Sequence, residues 1–308
     1  MATAMDNDDD GIANLLLAVS PSQMLRRGLK LINISRQVQN RRGMTANVLL
    51  FKQHYGIHPN QASTVWKDIV DDGALNEETV NLKSFFMALN FLRCYDTEGI
   101  RATRFGEDAK RMRSKVWAWI SKIAALKAKK IKFPATWDTT FVASVDGTHV
   151  RINEPRHATL KKDPKWYSHK HGCSGHNVQV VMAIWEQQCY DITISKGGTN
   201  DKGNVIKSGL LDKVPAGHRI IADGGYPGDM EKLSTYNQFD SDAMKIFKKD
   251  VKSRHETFNY RLKIYEAIGD KFHHGKDKFP MCMDAVAVLV QYSIEDTNPE
   301  SGNPLFDV

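Results

Sequence analysis

The sequence predicts an α/β domain preceded by an all-α region. Apolar residues recur at helical spacing throughout residues 45–100, whereas from residue 138 onwards short apolar runs alternate with polar turns. Between these regions, Pro134 follows a strongly basic segment and ends its helical periodicity. We therefore divide the chain into four segments, which are a loose N-terminal lead-in (1–44), a helical, helix-turn-helix-like region (45–100), a basic linker helix (101–137) and an α/β domain (138–308).

Composition places the chain among folded proteins. It has 308 residues, a formal net charge of +7 and 41% hydrophobic residues, which excludes disorder for most of its length. The four cysteines have no CxxC spacing, so we expect reduced thiols. We expect no signal peptide, and no apolar run approaches the roughly 18 residues of a membrane-spanning helix. These patterns predict a cytosolic or nuclear protein that does not associate with membranes.

The helical region predicts two short helices joined by a tight turn. Gly56 suits the end of the first helix, and Pro59 suits the first turn of the second. This pattern is typical of a helix-turn-helix, whose second helix exposes polar side chains that can reach base edges. The candidate DNA contacts are Asn60, Gln61, Ser63, Thr64 and Lys67. Any helical hairpin gives the same pattern, so a hairpin without a DNA-reading role is the alternative.

Positive charge is concentrated in the predicted linker. Residues 101–132 hold eleven Lys and Arg against two acidic residues, a local charge of +9 that exceeds the +7 of the whole chain. A helix is predicted over 111–130, with a buried apolar stripe and basic residues on its other positions. Such a helix could follow DNA phosphates, bind an acidic partner or only improve solubility. The candidate phosphate contacts are Arg111, Arg113, Lys129 and Lys130.

The order of elements in the α/β domain narrows its fold. Strands are predicted at 141–145, 176–185, 190–195, 219–222 and 243–247. One helix begins after Thr199 or Asn200, between the third and fourth strands, and Glu256 opens another after the fifth. Antiparallel strands followed by a crossover helix are typical of a ribonuclease-H-like mixed sheet with flanking helices, although order alone leaves other α/β folds open.

Three acidic residues lie at the ends of these elements. Asp146 follows the first strand, Asp223 follows the fourth, and Glu256 opens the last helix. Singly, an Asp-Gly pair is a turn signal, but the first and fourth strands of a ribonuclease-H-like sheet are neighbours. Converging carboxylates repel one another unless a cation lies between them, and Mg²⁺ prefers carboxylate and water oxygens. Two such ions, about 4 Å apart, can activate the nucleophile and stabilise the leaving oxygen of a phosphodiester.

Five stretches of the domain together resemble the DDE transposases of the PIF/Harbinger superfamily, also called DDE superfamily endonucleases. They are residues 145–150 (VDGTHV), 170–172 (KHG), 198–201 (GTND), 222–226 (ADGGY) and 254–263 (RHETFNYRLK). The resemblance covers roughly residues 140–295. It implies Asp146, Asp223 and Glu256 as metal-binding catalytic carboxylates, with Mg²⁺ as cofactor and Mn²⁺ as a substitute. It also implies DNA as substrate, a Myb-like accessory protein, a homo-oligomer and a nuclear location.

Residues near Glu256 are further candidates for contact with DNA. Lys263 lies about two helical turns after Glu256, on the same face, and related insertion-sequence transposases carry a Lys at this offset. Asn259, one turn from Glu256, could orient a water or contact DNA, or could be an ordinary polar residue on an exposed face. Arg254 is a third candidate, although it stands closer to Glu256 than the corresponding Arg of those transposases.

Two other polar residues have competing interpretations. Asp201 is a fourth acidic candidate, but participation with Asn200 in a helix cap is the simpler account. Tyr226 could stack on a base, although packing against the sheet is the more common role for such a ring.

The combined patterns predict a transposase that cleaves transposon ends by two-metal hydrolysis and joins them to target DNA. Two alternatives have the same sequence features. One is a domesticated relative that binds DNA or a protein partner without transposing. The other is a plain metal-dependent nuclease.

Overall fold

The computed structural model describes residues 18–73, 81–154, 163–226 and 231–296. The chain folds as two compact units. The first unit comprises residues 1–91 and 96–123, and the second comprises residues 92–95 and 124–308. Within the described residues, no helix combines the length and the apolar composition needed to cross a membrane.

The first unit is helical. Its helices, two of which run a few residues beyond it, are α1 (Pro21–Leu31), α2 (Arg36–Arg42), α3 (Met44–Tyr55), α4 (Pro59–Asp71), α5 (Leu82–Cys94), α6 (Glu98–Phe105) and α7 (Ala109–Ala125). Aromatic rings form its core, where Trp66 of α4 stacks on Trp119 of α7 with a centroid distance of 5.2 Å. The predicted pair of helices is confirmed, because α3 ends at Gly56, with φ of 76°, and α4 begins at Pro59.

The predicted exposure of Gln61 is wrong. Its side chain is 4% exposed because its Oε1 accepts a hydrogen bond from the backbone N–H of His58 and so caps the start of α4. Among the other candidates on this helix, Thr64 and Lys67 are exposed, and Asn60 and Ser63 are partly exposed. The role of this surface in reading DNA stays a prediction.

The second unit is an α/β domain. Its strands are β1 (Phe141–Arg151), β2 (Tyr167–Ser168), β3 (Cys173–Ala183), β4 (Cys189–Lys196), β5 (Arg219–Ala222) and β6 (Leu233–Ser234). Its helices are α8 (Lys127–Lys130), α9 (Asp201–Ser208), α10 (Leu210–Lys213), α11 (Asp242–Ile264), α12 (Glu266–Gly269) and α13 (Phe279–Glu295). The last of these, α13, is apolar on nearly every face and is almost entirely buried.

The strands of the second unit form a mixed sheet in the order β4-β3-β1-β5-β6, and the short β2 pairs with the first residues of β3. The strands β1, β3 and β4 are antiparallel to their neighbours in this group, whereas β1, β5 and β6 run parallel. Helices flank this sheet. This topology is consistent with the ribonuclease-H-like fold that the sequence predicts.

Two predicted elements differ from the structure. The predicted strand at 243–247 is wrong, because these residues belong to α11, whose N-cap Ser241 accepts a hydrogen bond from the backbone N–H of Met244. Phe247 and Val251, one helical turn apart, pack this helix against Ile221 of β5 and against Ile184, which directly follows β3. Glu256 therefore lies in the second half of α11 and is not the first residue of a helix.

The single basic helix predicted over 111–130 is also wrong, because α7 ends at Ala125 and a separate short helix, α8, follows. Ion pairs hold α8 against α13 of the second unit. The Nζ of Lys127 lies 2.7 Å from Asp284, and the Nζ of Lys130 lies 2.9 Å from Glu295. The positive charge of Lys130 is thus partly neutralised within the fold.

A buried histidine makes the second unit sensitive to acid. His176 of β3 is 4% exposed and stacks on Phe279 of α13 with a centroid distance of 3.9 Å. Burial lowers the pKa of His176 to about 4 from an ordinary value of 6.5. The unfolded chain therefore binds a proton here between pH 6.5 and 4 that the folded chain does not, and the free energy of unfolding falls as the pH drops through this window.

We expect the substitution His176→Gln to reduce this acid sensitivity. From pH 7 to pH 4.5, the wild type should lose about 2–3 kcal/mol more unfolding free energy than the variant, since one pKa unit corresponds to about 1.4 kcal/mol. Urea titrations at the two pH values measure the difference. His169→Gln, at an exposed position, is the control, and an equal pH dependence of His176→Gln and wild type would contradict the assignment.

Candidate active site

The register of the sheet places Asp146 and Asp223 side by side. The parallel strands β1 and β5 pair Val145 with Ala222, so the two aspartates are the next residues on adjacent strands. Neighbouring strands lie about 4.8 Å apart. The predicted adjacency is confirmed, but β1 does not end at Asp146. It continues to Arg151 because β3 pairs with it along that whole length.

Asp146 lies in a partly desolvated position. Its Oδ1 accepts a hydrogen bond from the backbone N–H of Gly147 at 2.8 Å. Burial raises the pKa of the Asp146 carboxyl, the Gly147 hydrogen bond opposes this change, and the negative charge of Asp223 raises the pKa further. The Asp223 side chain is 55% exposed, and the Nζ of Lys252 lies 3.7 Å from its Oδ1. The two carboxylates thus repel each other at a site that is open to solvent on the Asp223 side.

One face of α11 lies against this pair of aspartates. Lys252 reaches Asp223 as described, and seven residues later Nδ2 of Asn259 is 3.5 Å from Oδ2 of Asp146. Residues three or four positions apart share a helix face. Glu256 stands four residues after Lys252 and three before Asn259, so its Cα lies on the same face, between the two contacts.

The carboxylate of Glu256 is exposed. Across the described parts of the chain, no three His, Cys, Asp or Glu side chains are close enough together to hold a metal ion. The structure therefore brings Asp146 and Asp223 together and places Glu256 on the face of α11 that lies against them. The three carboxylates do not form a cluster.

Asp201 is a functional candidate for which the sequence favours a different explanation. Asn200 caps α9, because its Oδ1 accepts a hydrogen bond from the Gly203 N–H at 2.8 Å. The Asp201 carboxylate instead lies against the glycines near the two aspartates. A Cβ atom at position 225 would lie 2.7 Å from its Oδ2, and one at position 147 would lie 3.3 Å from its Oδ1. Small residues at both positions allow a further carboxylate to approach the site.

Tyr226 is a core residue and does not offer its ring to a base. It is 1% exposed and packs with the apolar residues of the sheet. Burial raises the pKa of its hydroxyl, and the charges of Asp201, Asp146 and Asp223 add to this effect. The Tyr226 hydroxyl and Oδ1 of Asn259 are buried without a hydrogen-bond partner among the described residues.

The donor set at this end of the sheet fits a hard divalent cation. Apart from the Lys252 ammonium beside Asp223, the side chains there are carboxylates, an amide and a phenol. Oxygen is therefore the available ligand atom, and oxygen is what Mg²⁺ and Mn²⁺ prefer. Burial is the main reason that the pKa of Asp146 is raised, and such a cation would relieve the repulsion by Asp223 that adds to it. The buried Oδ1 atom of Asn259, which lacks a described partner, is a further acceptor beside Asp146.

The other predicted contacts on the second unit have mixed surroundings. The Arg254 guanidinium is partly buried and donates a hydrogen bond to the backbone carbonyl of Ile184. Lys263 is exposed and, together with stronger burial effects, its charge lowers the pKa of His149 and of His171. Lys129 is exposed. Lys263 and Lys129 thus lie at the surface, whereas the Arg254 guanidinium already has a hydrogen-bond partner within the fold.

On the first unit, several candidates already have partners within the fold. The Ser63 hydroxyl donates to the carbonyl of Val19, and Thr64 donates to the carbonyl of Asn60. Lys67 forms an ion pair with Asp71, and Arg113 forms one with Glu98. Arg111 is exposed.

Three lysines beside the site were missed by the sequence reasoning. Lys245, Lys249 and Lys252 of α11 line a groove that begins at Asp146 and Asp223. The signal was hidden because a strand was predicted at 243–247, which removes the helical spacing that places these lysines on one face. A helix beginning at Ser241 would have revealed them.

The sheet topology is consistent with a ribonuclease-H-like fold, and the pairing of β1 with β5 places Asp146 next to Asp223. Residues 145–291 match the family model of the DDE superfamily endonucleases. The matched segment contains Asp146, Asp223 and Glu256, so this domain is similar to the DDE superfamily endonucleases over the whole candidate site. No curated protein matches the chain.

Proposed function

We propose that this chain is a metal-dependent DNA endonuclease that acts as a transposase of the PIF/Harbinger type. The observation that carries the proposal is the parallel pairing of Val145 with Ala222, which sets Asp146 beside Asp223. The similarity of residues 145–291 to the DDE superfamily endonucleases supports nuclease chemistry on DNA.

Asp146, Asp223 and Glu256 would hold the metal, which we propose to be two Mg²⁺ ions, with Mn²⁺ as a substitute. Divalent cations supply Lewis acidity at a phosphate and make water a nucleophile at neutral pH. Asp146 and Asp223 keep negative charge fixed on the rigid sheet. Asn259 is placed to orient the Asp146 carboxylate through its amide N–H. Lys252, next to Asp223, offers positive charge to a DNA phosphate.

The wider assignment follows from the same proposal. The helices α3 and α4 and the basic residues of α7 would help to bind DNA. A Myb-like accessory protein and a second copy of the chain would take part in the reaction. The protein would act in the nucleus. A plain nuclease would share the cleavage step but not the joining of ends. A DNA-binding relative without cleavage activity is the second candidate, because the described residues do not close a three-carboxylate cluster.

The test is cleavage and joining by the full chain. A plasmid that carries the DNA flanking the gene is incubated with the protein in Mg²⁺, Mn²⁺, Ca²⁺ or EDTA, and pre-cleaved ends are supplied in a separate joining reaction. We expect nicking in Mg²⁺ and Mn²⁺, none in EDTA, and joined products from pre-cleaved ends. Nicking without joining would identify a plain nuclease, and DNA binding without nicking in any metal would support the second candidate.

A further inference from the structure

A groove next to the paired aspartates has the chemistry of a nucleotide-binding surface. It has a volume of about 520 Å³, within the range of about 300–1,000 Å³ typical of ligand sites. It begins at Asp146 and Asp223 and follows the first turns of α11. We name it the lysine groove after Lys245, Lys249 and Lys252, which line it together with Tyr236.

The lysine groove combines an apolar floor with a basic rim. Its floor includes Ile221, Ala222 and Val251, which are nearly inaccessible to solvent. The three lysines stand four and three residues apart on α11, so their ammonium groups share one helix face. Apolar walls suit the faces of bases, and ammonium groups suit phosphates. A base-paired duplex keeps its base faces stacked inside, so the combination favours unpaired nucleotides.

Tyr236 provides an aromatic surface in this groove. Its side chain is 66% exposed. Exposed aromatic rings on a basic surface are the usual platforms on which the bases of single strands stack.

The loop that carries Tyr236 is held in place by a buried lysine. The Nζ of Lys248 donates to the carbonyl of Thr235 at 2.6 Å and to Oδ2 of Asp240 at 2.8 Å. Asp240 in turn accepts a hydrogen bond from the backbone N–H of Asn237. The residues on both sides of Tyr236 are therefore anchored to α11, which reduces the entropy lost when a base stacks on the ring.

We propose that the lysine groove binds unpaired nucleotides of the DNA strand that adjoins the scissile phosphate. A base stacks on Tyr236, and Lys245 and Lys249 contact the phosphates on either side of it. This inference rests on the proposed function, because Asp146 and Asp223 at the end of the groove mark where the phosphodiester is cleaved. It adds that the enzyme acts at ends whose strands are locally separated.

Fluorescence anisotropy with the full chain in EDTA tests binding separately from cleavage. The probes are a blunt duplex and the same duplex with a short single-stranded extension of either polarity. We expect tighter binding of one extended probe. Tyr236→Ala should weaken this binding about 5- to 100-fold, in line with the loss of one stacked base, whereas Tyr236→Phe should retain it. Blunt-duplex affinity should change less than twofold.

Charge variants test the phosphate contacts. Lys249→Ala should lower the slope of log affinity against log salt concentration by about 0.7 for the extended probe, the value expected per phosphate contact on a single strand. Tyr260→Ala is the aromatic control, because Tyr260 is 68% exposed on the same helix and does not line the groove. Lys271→Ala, at an exposed position, is the charge control.

The outcomes separate this inference from the proposed function. Equal effects of Tyr236→Ala on the blunt and extended probes, or no effect on either probe, would overturn the groove assignment. The assignment would also be overturned if a poly-glutamate peptide displaced the extended probe at a lower concentration than a single-stranded oligonucleotide does. Cleavage in Mg²⁺ without any preference for an extension would leave the proposed function intact. Tyr236-dependent binding without cleavage in any metal would leave the groove intact and reject the endonuclease.

Discussion

Asp146→Asn is expected to abolish metal-dependent DNA cleavage. The substitution keeps the size of the side chain and its contact with the Gly147 N–H but removes the charge beside Asp223. Metal assistance at a phosphate contributes several kcal/mol, and about 1.4 kcal/mol corresponds to a tenfold change in rate, so cleavage should fall at least about 10³-fold. The initial rate of plasmid nicking in Mg²⁺ and Mn²⁺ measures the effect.

Stability separates a catalytic loss from misfolding in this variant. Burial makes the charged form of Asp146 unfavourable, which is why its pKa is raised in the folded chain. The neutral Asn does not have this cost, so the thermal midpoint should stay the same or rise. Asp212→Asn, at an exposed position of α10, is the control and should cleave as the wild type does. A well-folded Asp146→Asn protein that cleaves within tenfold of wild type would remove Asp146 from the mechanism.

The adjacency of Asp146 and Asp223 could be predicted because each directly follows a predicted strand, and these two strands are neighbours in a ribonuclease-H-like sheet. The apolar runs of β3, β4 and β5 are bounded by polar turns, and this pattern locates them within a few residues. The full length of β1 could not be predicted in this way. Asp146-Gly147 has the composition of a turn, and only pairing with β3 keeps the chain extended through it.

The start of α11 could not be predicted from periodicity. Residues 243–247 contain four apolar side chains among five residues, a run too short to distinguish a strand from a helix. The decisive interactions are the Ser241 cap and the packing of Phe247 on the sheet, and the packing is tertiary. This error concealed the lysine groove, because a strand at 243–247 includes only Lys245 and separates it from the helix that carries Lys249 and Lys252.

The position of Asp201 shows a similar limit. A helix-cap role explains an Asp beside Asn200 in sequence, and the structure assigns the cap to Asn200 alone among these two. The Asp201 carboxylate lies close to Gly147 and Gly225, so this contact joins residues from three separate parts of the chain. No local pattern contains that information, since it depends on how the start of α9 packs beside the middle of β1 and the turn after β5.

Glu256→Gln is the second substitution for which we expect a large loss, and it tests the helix face that the site shares. Gln has nearly the same size and helix propensity as Glu, so the change removes charge and little else. If the carboxylate completes the metal site, cleavage should fall about 10³-fold, by the same reasoning as for a metal ligand on the sheet. Titration of the protein with Mn²⁺, followed by calorimetry, should show weaker binding of the metal.

The same helix offers a matched control for Glu256. Asp250 is also exposed, and it stands two residues before Lys252, on the opposite side of α11 from the face that reaches the aspartates. Asp250→Asn removes the same charge from the same helix, so it reproduces any general electrostatic effect on DNA binding. We expect it to cleave DNA within twofold of wild type. Equal losses in the two variants would show that the negative charges of α11 affect cleavage only through a general electrostatic effect. The metal site would then consist of carboxylates from the sheet and from α9.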